Sequence, residues 1–227
     1  MRNFCAFAGL VITLTGIWSC SRQQSVKLFN GTDLEGWYTF IQDRGRNSDP
    51  QKVFTVQDGM IRISGEEWGC ITTEQEYENY KLLIEFKWGE LTYEPRIDRA
   101  RDSGVLLHSR GEDGSSQGIW IHAIECQIIE GGTGGQKETI KEGRINWYGR
   151  DPGWEDTLGF RGQNDVENIP GKWNRLECIA EEDSLTFYLN GHRVNSAENV
   201  QPRKGRIQIQ SEGAEIFFRR VEIHPIE

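Results

Sequence analysis

The sequence predicts an all-β protein, an antiparallel two-sheet sandwich of the jelly-roll kind. Three observations carry that expectation. Short runs of alternating apolar and polar residues recur along the chain. Gly, Asn, Asp and Pro separate those runs at the spacing of sandwich strands. Long stretches with the apolar period of a helix are missing. Residues 27–227 suit a single domain, since sandwiches often run to about 200–250 residues as one unit.

The N-terminus stands apart from the fold. MRNFCAFAGLVITLTGIWSC, residues 1–20, has one early cation, Arg2, followed by an apolar run from Phe4 to Trp18. That run is too short and wrongly flanked for a membrane-spanning helix and suits a secretory signal. Ile17-Trp18-Ser19-Cys20 resembles a bacterial lipobox, with Trp18 an untidy fit. Cys20 is therefore expected to carry lipid; an ordinary signal peptide cut nearby and a buried N-terminal strand are the plainer alternatives. Lipid on Cys20 would tether the protein to a membrane without spanning it. Ser21 is not the aspartate of an inner-membrane retention signal, which favours an outer-membrane anchor facing the periplasm. Residues 21–26 would be a short tether.

Beyond the tether the strands can be taken in turn. KVFTVQDGMIRISG reads as a hairpin through Asp58-Gly59. YKLLIEFKWGE places Ile84, Phe86 and Trp88 on one face, Glu85 and Lys87 on the other. SGVLLHS and IHAIECQIIE follow, then WNRLECIAEE, SLTFYLNGHRV turning at Asn190-Gly191, GRIQIQSEG and EIFFRRVEIHP. Two long stretches, Glu90–Asp102 and Gly131–Pro170, look irregular, and loops of that length are usually functional or disordered. The second holds Trp147, Tyr148, Trp154 and Phe160 and is expected to fold as a lid or wall.

Composition narrows the partners. Thirty-five acidic residues against 26 Lys and Arg give a net charge of −9, which argues against nucleic-acid binding and favours a neutral or cationic partner. Eight Trp, ten Phe and six Tyr are typical both of sugar-facing surfaces and of sandwich cores. Once Cys5 and Cys20 are set aside, Cys70, Cys126 and Cys178 remain without metal-like spacing. Cys126 and Cys178 fall on core faces, so buried free thiols are the default; a disulfide between them is allowed but not required.

Alternation also gathers polar residues opposite the apolar ones. Leu106 and His108, Glu85 and Lys87, Glu125 and Gln127, and Gln208 and Gln210 are expected on one sheet face. The residues alone leave two readings open, a solvated exterior or the floor of a site.

LFNGTDLEGW, EFKWGE, RDSGVLLHSRGEDGSSQGIWIHAIECQIIEGGTGG, GKWNRLECIA and GRIQIQSEGAEIFFRRVEIHP, together and in order, resemble the 3-keto-disaccharide hydrolase family. Ile209 stands where the last motif usually has Leu. The resemblance spans about Lys27 to Pro225. It implies a concanavalin A-like jelly roll with a sugar-binding concave sheet, and cleavage of glycosides already oxidised to a ketone at C3.

A 3-ketone acidifies the C2 proton. A base can remove it, the C1 substituent can leave, and water can add to the enone. Such a site needs a base near C2, stabilisation of the C3 oxyanion and an acid at the glycosidic oxygen. Glu125 is the leading catalytic carboxylate and His108 its partner. A divalent metal ion would also serve the oxyanion, with His108 and Glu125 as its ligands. Gln127 would orient Glu125 or bind a hydroxyl. Glu130, Lys87, Gln210, Glu212 and Trp120 complete the substrate-binding candidates. Asp102 could cap a turn or touch substrate, and Arg219 reads as structural. The required oxidation at C3 calls for a partner sugar 3-oxidoreductase. The rival readings are a conventional glycosidase with paired carboxylates and a carbohydrate-binding lipoprotein without catalysis.

Overall fold

The structure, a computed structural model, describes residues 24–133, 144–147 and 153–226. The expected export signal with Cys20, residues 21–23 of the tether and Tyr148 lie outside these.

The described strands, in chain order, are β1 (Val26–Lys27), β2 (Trp37–Ile41), β3 (Gly45–Arg46), β4 (Phe54–Gln57), β5 (Met60–Ile63), β6 (Gly69–Thr73) and β7 (Tyr80–Thr92). There follow β8 (Asp102–Arg110), β9 (His122–Ile129), β10 (Arg144–Trp147), β11 (Asn174–Glu181), β12 (Ser184–Leu189), β13 (His192–Glu198), β14 (Arg206–Ser211) and β15 (Ala214–His224). No helix occurs among the described residues. One sheet has the order β10-β13-β12-β11-β7-β15-β5-β4 with β1 also on β15; the other runs β3-β2-β6-β14-β8-β9. Every strand pairing among the described residues is antiparallel, as the alternating sequence requires.

The apolar residues of each strand meet between the sheets. Ile84, Phe86 and Trp88 of β7 pack with Val105, Leu107, Ile124, Cys126, Ile207 and Ile209 from the other sheet. Both expected hairpin turns form, with positive φ at Asp58 and Gly59 (51° and 72°) and at Asn190 and Gly191 (51° and 84°). Residue pairs of this type tolerate the left-handed turn that matches strand twist. Cys70, Cys126 and Cys178 are buried and free. Burial pushes the Cys70 thiol up to about 12 and that of Cys126 well above its ordinary value.

Both long stretches are more regular than the sequence suggests. Strand β7 runs on to Thr92, which leaves residues 93–101 as the first loop. The second contains β10, an edge strand on β13. Of its aromatics, Trp154 stacks edge-on against Phe160 at 6.4 Å. The pair lies on Gly131 and Gly132. A Cβ at Gly131 would sit 2.9 Å from Phe160 Cδ1, and one at Gly132 would sit 2.9 Å from Trp154 Nε1. The glycines after β9 thus make room for aromatic rings.

Candidate active site

The six-stranded sheet presents a polar floor on the face turned away from the core. Cross-strand register builds it in two rows. Phe40 pairs with Cys70, Cys70 with Gln210, and Gly104 with Gln127. Beside them Tyr38 pairs with Thr72, Thr72 with Gln208, Gln208 with Leu106, and Leu106 with Glu125. Period-two alternation therefore places Glu125, Gln127, Gln208 and Gln210 on this face as expected.

Gly104 is the keystone of the floor. A Cβ there would come within 2.6 Å of Glu125 Oε1 and 2.1 Å of Gln210 Oε1, so both side chains converge over a residue that has no side chain. Gln210 Oε1 is buried without a partner among the described residues. Gln210, rather than Gln127, is thus the amide beside Glu125. Gln127 Nε2 instead donates to Asp102 Oδ1 and to the Ser103 carbonyl (3.2 Å).

Arg96, from the loop between β7 and β8, ties this end of the floor together. Its Nη2 donates to Asp102 Oδ2 and lies 3.9 Å from Glu212 Oε1, while Nη1 reaches Asp156 Oδ1 at 3.4 Å. Asp156 also accepts from Arg99 Nε (2.8 Å) and from the Ala100 amide (3.2 Å). One guanidinium therefore joins both long loops to the ends of β8 and β14. Asp102 is neither a turn cap nor an open carboxylate; it relays between Arg96 and Gln127.

Gln208 is a scaffold residue. Its Oε1 accepts from the Ile121 amide (3.2 Å) and Ser109 Oγ (3.4 Å), and its Nε2 donates to Thr72 Oγ1 (2.9 Å). Beside it a small apolar cluster of Cys70, Leu106, Ile119, Trp120 and Ala123 covers the sheet, with half-buried Phe40 and Trp68 packed against it. Trp120 is only 5 % exposed, whereas Phe40 and Trp68 are the half-buried rings at this side of the floor.

Five expectations need correction. His108 does not join Glu125. It has φ 53°, in the left-handed region, at a register slip between Leu107 and Arg110 that breaks the alternation of β8. Its ring meets core residue Tyr80 edge-on at 5.8 Å, and Nδ1 donates to the Pro202 carbonyl at 2.9 Å. Burial pushes its pKa down to about 4, leaving it neutral. The proposed His108–Glu125 metal pair accordingly does not fit. Among the described residues no group of three or more His, Cys, Asp and Glu is placed to hold a metal ion.

Lys87 and Glu85 are on the other sheet. They face outward from β7, where Glu85 pairs with Arg219 at 2.6 Å. Alternation gives the face of a strand but not its sheet. Glu130 is not at a rim: it is fully buried, its Oε1 accepts from Arg101 Nη1 (2.9 Å), and its carbonyl accepts from Trp154 Nε1 (3.1 Å). Trp120 packs as cluster core. Sequence reading passed over Arg96, Gly104, Phe40 and Trp68. The outward alternation of Tyr38 and Phe40 in WYTFI was a signal for the aromatic side of the floor.

Known structures share this architecture. A candidate glycosyl hydrolase from Parabacteroides distasonis ATCC 8503 superposes with a TM-score of 0.59 at 19 % identity, covering 89 % of this chain and 94 % of the other. A second from the same organism gives 0.59 at 22 % identity, with 90 % and 100 % covered. LamAcat from Zobellia galactanivorans gives 0.50 at 12 % identity, with 89 % and 97 % covered. Among curated proteins none matches the sequence. The fold these structures share with this chain is a two-sheet jelly roll. The chain belongs to the 3-keto-disaccharide hydrolase family, whose model, the 3-keto-alpha-glucoside-1,2-lyase-like domain, matches residues 24–224.

Proposed function

We propose that the protein cleaves 3-keto-glycosides or 3-keto-disaccharides by elimination and hydration, with Glu125 as the base. The observation that carries this reading is the convergence of Glu125 and Gln210 over Gly104, in a chain of this family. Glu125 takes the C2 proton and leaves an enediolate across C2 and C3. The C1–oxygen bond then breaks, and the protonated Glu125 is the acid for the departing oxygen. Water adds at C1 of the enone, so the net reaction is hydrolysis. Gln210 supplies a neutral hydrogen-bonding group beside the reacting carbons. Arg96 is a positioning residue: through Asp102 it sets Gln127, and its charge lowers the cost of negative charge on the floor. The half-buried Phe40 and Trp68 give a sugar ring an apolar face to lie against.

The same reading includes export with a lipid on Cys20, an outer-membrane anchor facing the periplasm, and supply of substrate by a sugar 3-oxidoreductase. The test is product formation by purified Ser21–Glu227 on matched 3-keto and unoxidised glucosides. Turnover of the keto substrate alone, lost in Glu125→Gln while binding persists, is the expected result. Turnover of the unoxidised glucoside would replace elimination with conventional glycosidase chemistry, and binding without turnover of either would reduce the floor to a recognition surface.

A further inference from the structure

Lys87 is left without a part at the Glu125 floor, yet it lines a cavity of its own. On the outer face of the nine-stranded sheet, Lys87, Leu91, Gly171, Glu215 and Phe217 surround a cavity of about 450 Å³, within the roughly 300–1,000 Å³ usual for small-molecule sites. The register explains its make-up. Lys87 lies opposite Phe217 on β15, and Gly89 leaves the space into which Glu215 folds. Lys87 Nζ sits 5.2 Å from the Phe217 ring centre and 5.0 Å from that of Trp173. It makes no ion pair among the described residues. Glu215 is held by Arg62 at 2.7 Å and by the Glu90 amide at 3.1 Å, whereas the neighbouring Glu90 is exposed.

We propose that this cavity is a second carbohydrate site that takes a neutral pyranose, on the side of the sandwich opposite the Glu125 floor. A pyranose has an apolar C–H face for Phe217 and Leu91 and a rim of hydroxyls for the Lys87 ammonium and the Glu90 carboxylate. With Glu215 paired to Arg62, the remaining charges, Lys87 and Glu90, offset each other, which leaves no net positive charge to hold an anion. A purely apolar one strips water from Lys87 without replacing it. The site is independent of the reaction assigned to the floor: it would hold one sugar unit while another is processed, or keep the protein on a glycan surface.

The experiment is an NMR titration of the folded chain with methyl β-D-glucoside, following amide shifts, with sodium glucuronate as the anionic comparator. Shifts at Gly89, Leu91 and Phe217 are expected. They should persist in Glu125→Gln and weaken about tenfold or more in Lys87→Met, with Phe217→Ala as a second variant. Lys87→Met keeps the aliphatic stem, and its dispersed spectrum verifies folding. Shifts confined to the floor, shifts unchanged in both cavity variants, no shifts at all, or tighter binding of glucuronate would each overturn the proposal. Because the readout is binding at Gly89 and Phe217, it stands or falls separately from turnover at Glu125.

Discussion

Glu167 is a carboxyl group enclosed by protein. Its Oε1 accepts from Trp88 Nε1 at 2.5 Å, and its Oε2 lies 2.9 Å from Thr133 Oγ1, which also reaches the Ile129 carbonyl at 3.1 Å. Thr133 Oγ1 is the donor to both oxygens and shares its one proton between them. Burial raises the Glu167 pKa from 4.5 to about 8, against the bonds from Thr133 and Trp88, which favour the anion. Between those values the unfolded chain has released a proton that the folded chain keeps, so stability falls as pH rises through that window and levels off above it. Glu167→Gln keeps both hydrogen bonds without the titration. Its melting temperature should pull ahead of wild type from pH 5 to pH 8, by the equivalent of roughly 3 kcal/mol; a constant gap across that range would refute a neutral Glu167. His108 has the opposite sign. With a folded pKa near 4, below the unperturbed value of about 6.5, it costs stability on acidification between those values. Its ring resonances should stay flat from pH 8 to pH 5. The face on which Glu125 lies was readable from the alternation of IHAIECQIIE alone. The fate of His108 was not, because a single left-handed residue at a bulge reverses where a side chain points.

At the scale of elements, the floor depends on what crosses between strands and loops. Gly104→Ala in β8 would drive a methyl group into Glu125 and Gln210. It should lower kcat by about 100-fold, the cost of misplacing a reacting group by about 1 Å, with a much smaller change in melting temperature. An equal loss of stability and activity would make Gly104 a folding residue only. Arg96 is 7 % exposed and Arg99 is an exposed surface residue, yet both bind Asp156. Arg96→Ala should cost about 3–5 kcal/mol, since it strands buried carboxylates, whereas Arg99→Ala should cost at most about 1 kcal/mol; chemical denaturation of the two variants separates them. Strands and hairpin turns were legible because each is written in a few consecutive residues. The Arg96 latch was not, because its partners at 102, 156 and 212 come together only once the loops have folded.

For the molecule as a whole, the two-sheet architecture was legible, while the membership of its sheets was not. Lys87 and Glu125 both alternate outward from apolar neighbours, yet they end on opposite sides of the sandwich. What separates them is strand order, in which β7 lies between β11 and β15 while β9 edges the sheet of β14 and β8. That order has a further consequence for the floor over Gly104. Its residues come from β8, β9 and β14, with β10 to β13 of the other sheet intervening in the chain, so no short contiguous fragment contains it. A compound that engages Glu125 and Gln210 together binds the folded chain and not the unfolded one, so its affinity appears as added stability. Thermal-shift screening therefore offers a route to this protein's ligands that needs no assay of its chemistry.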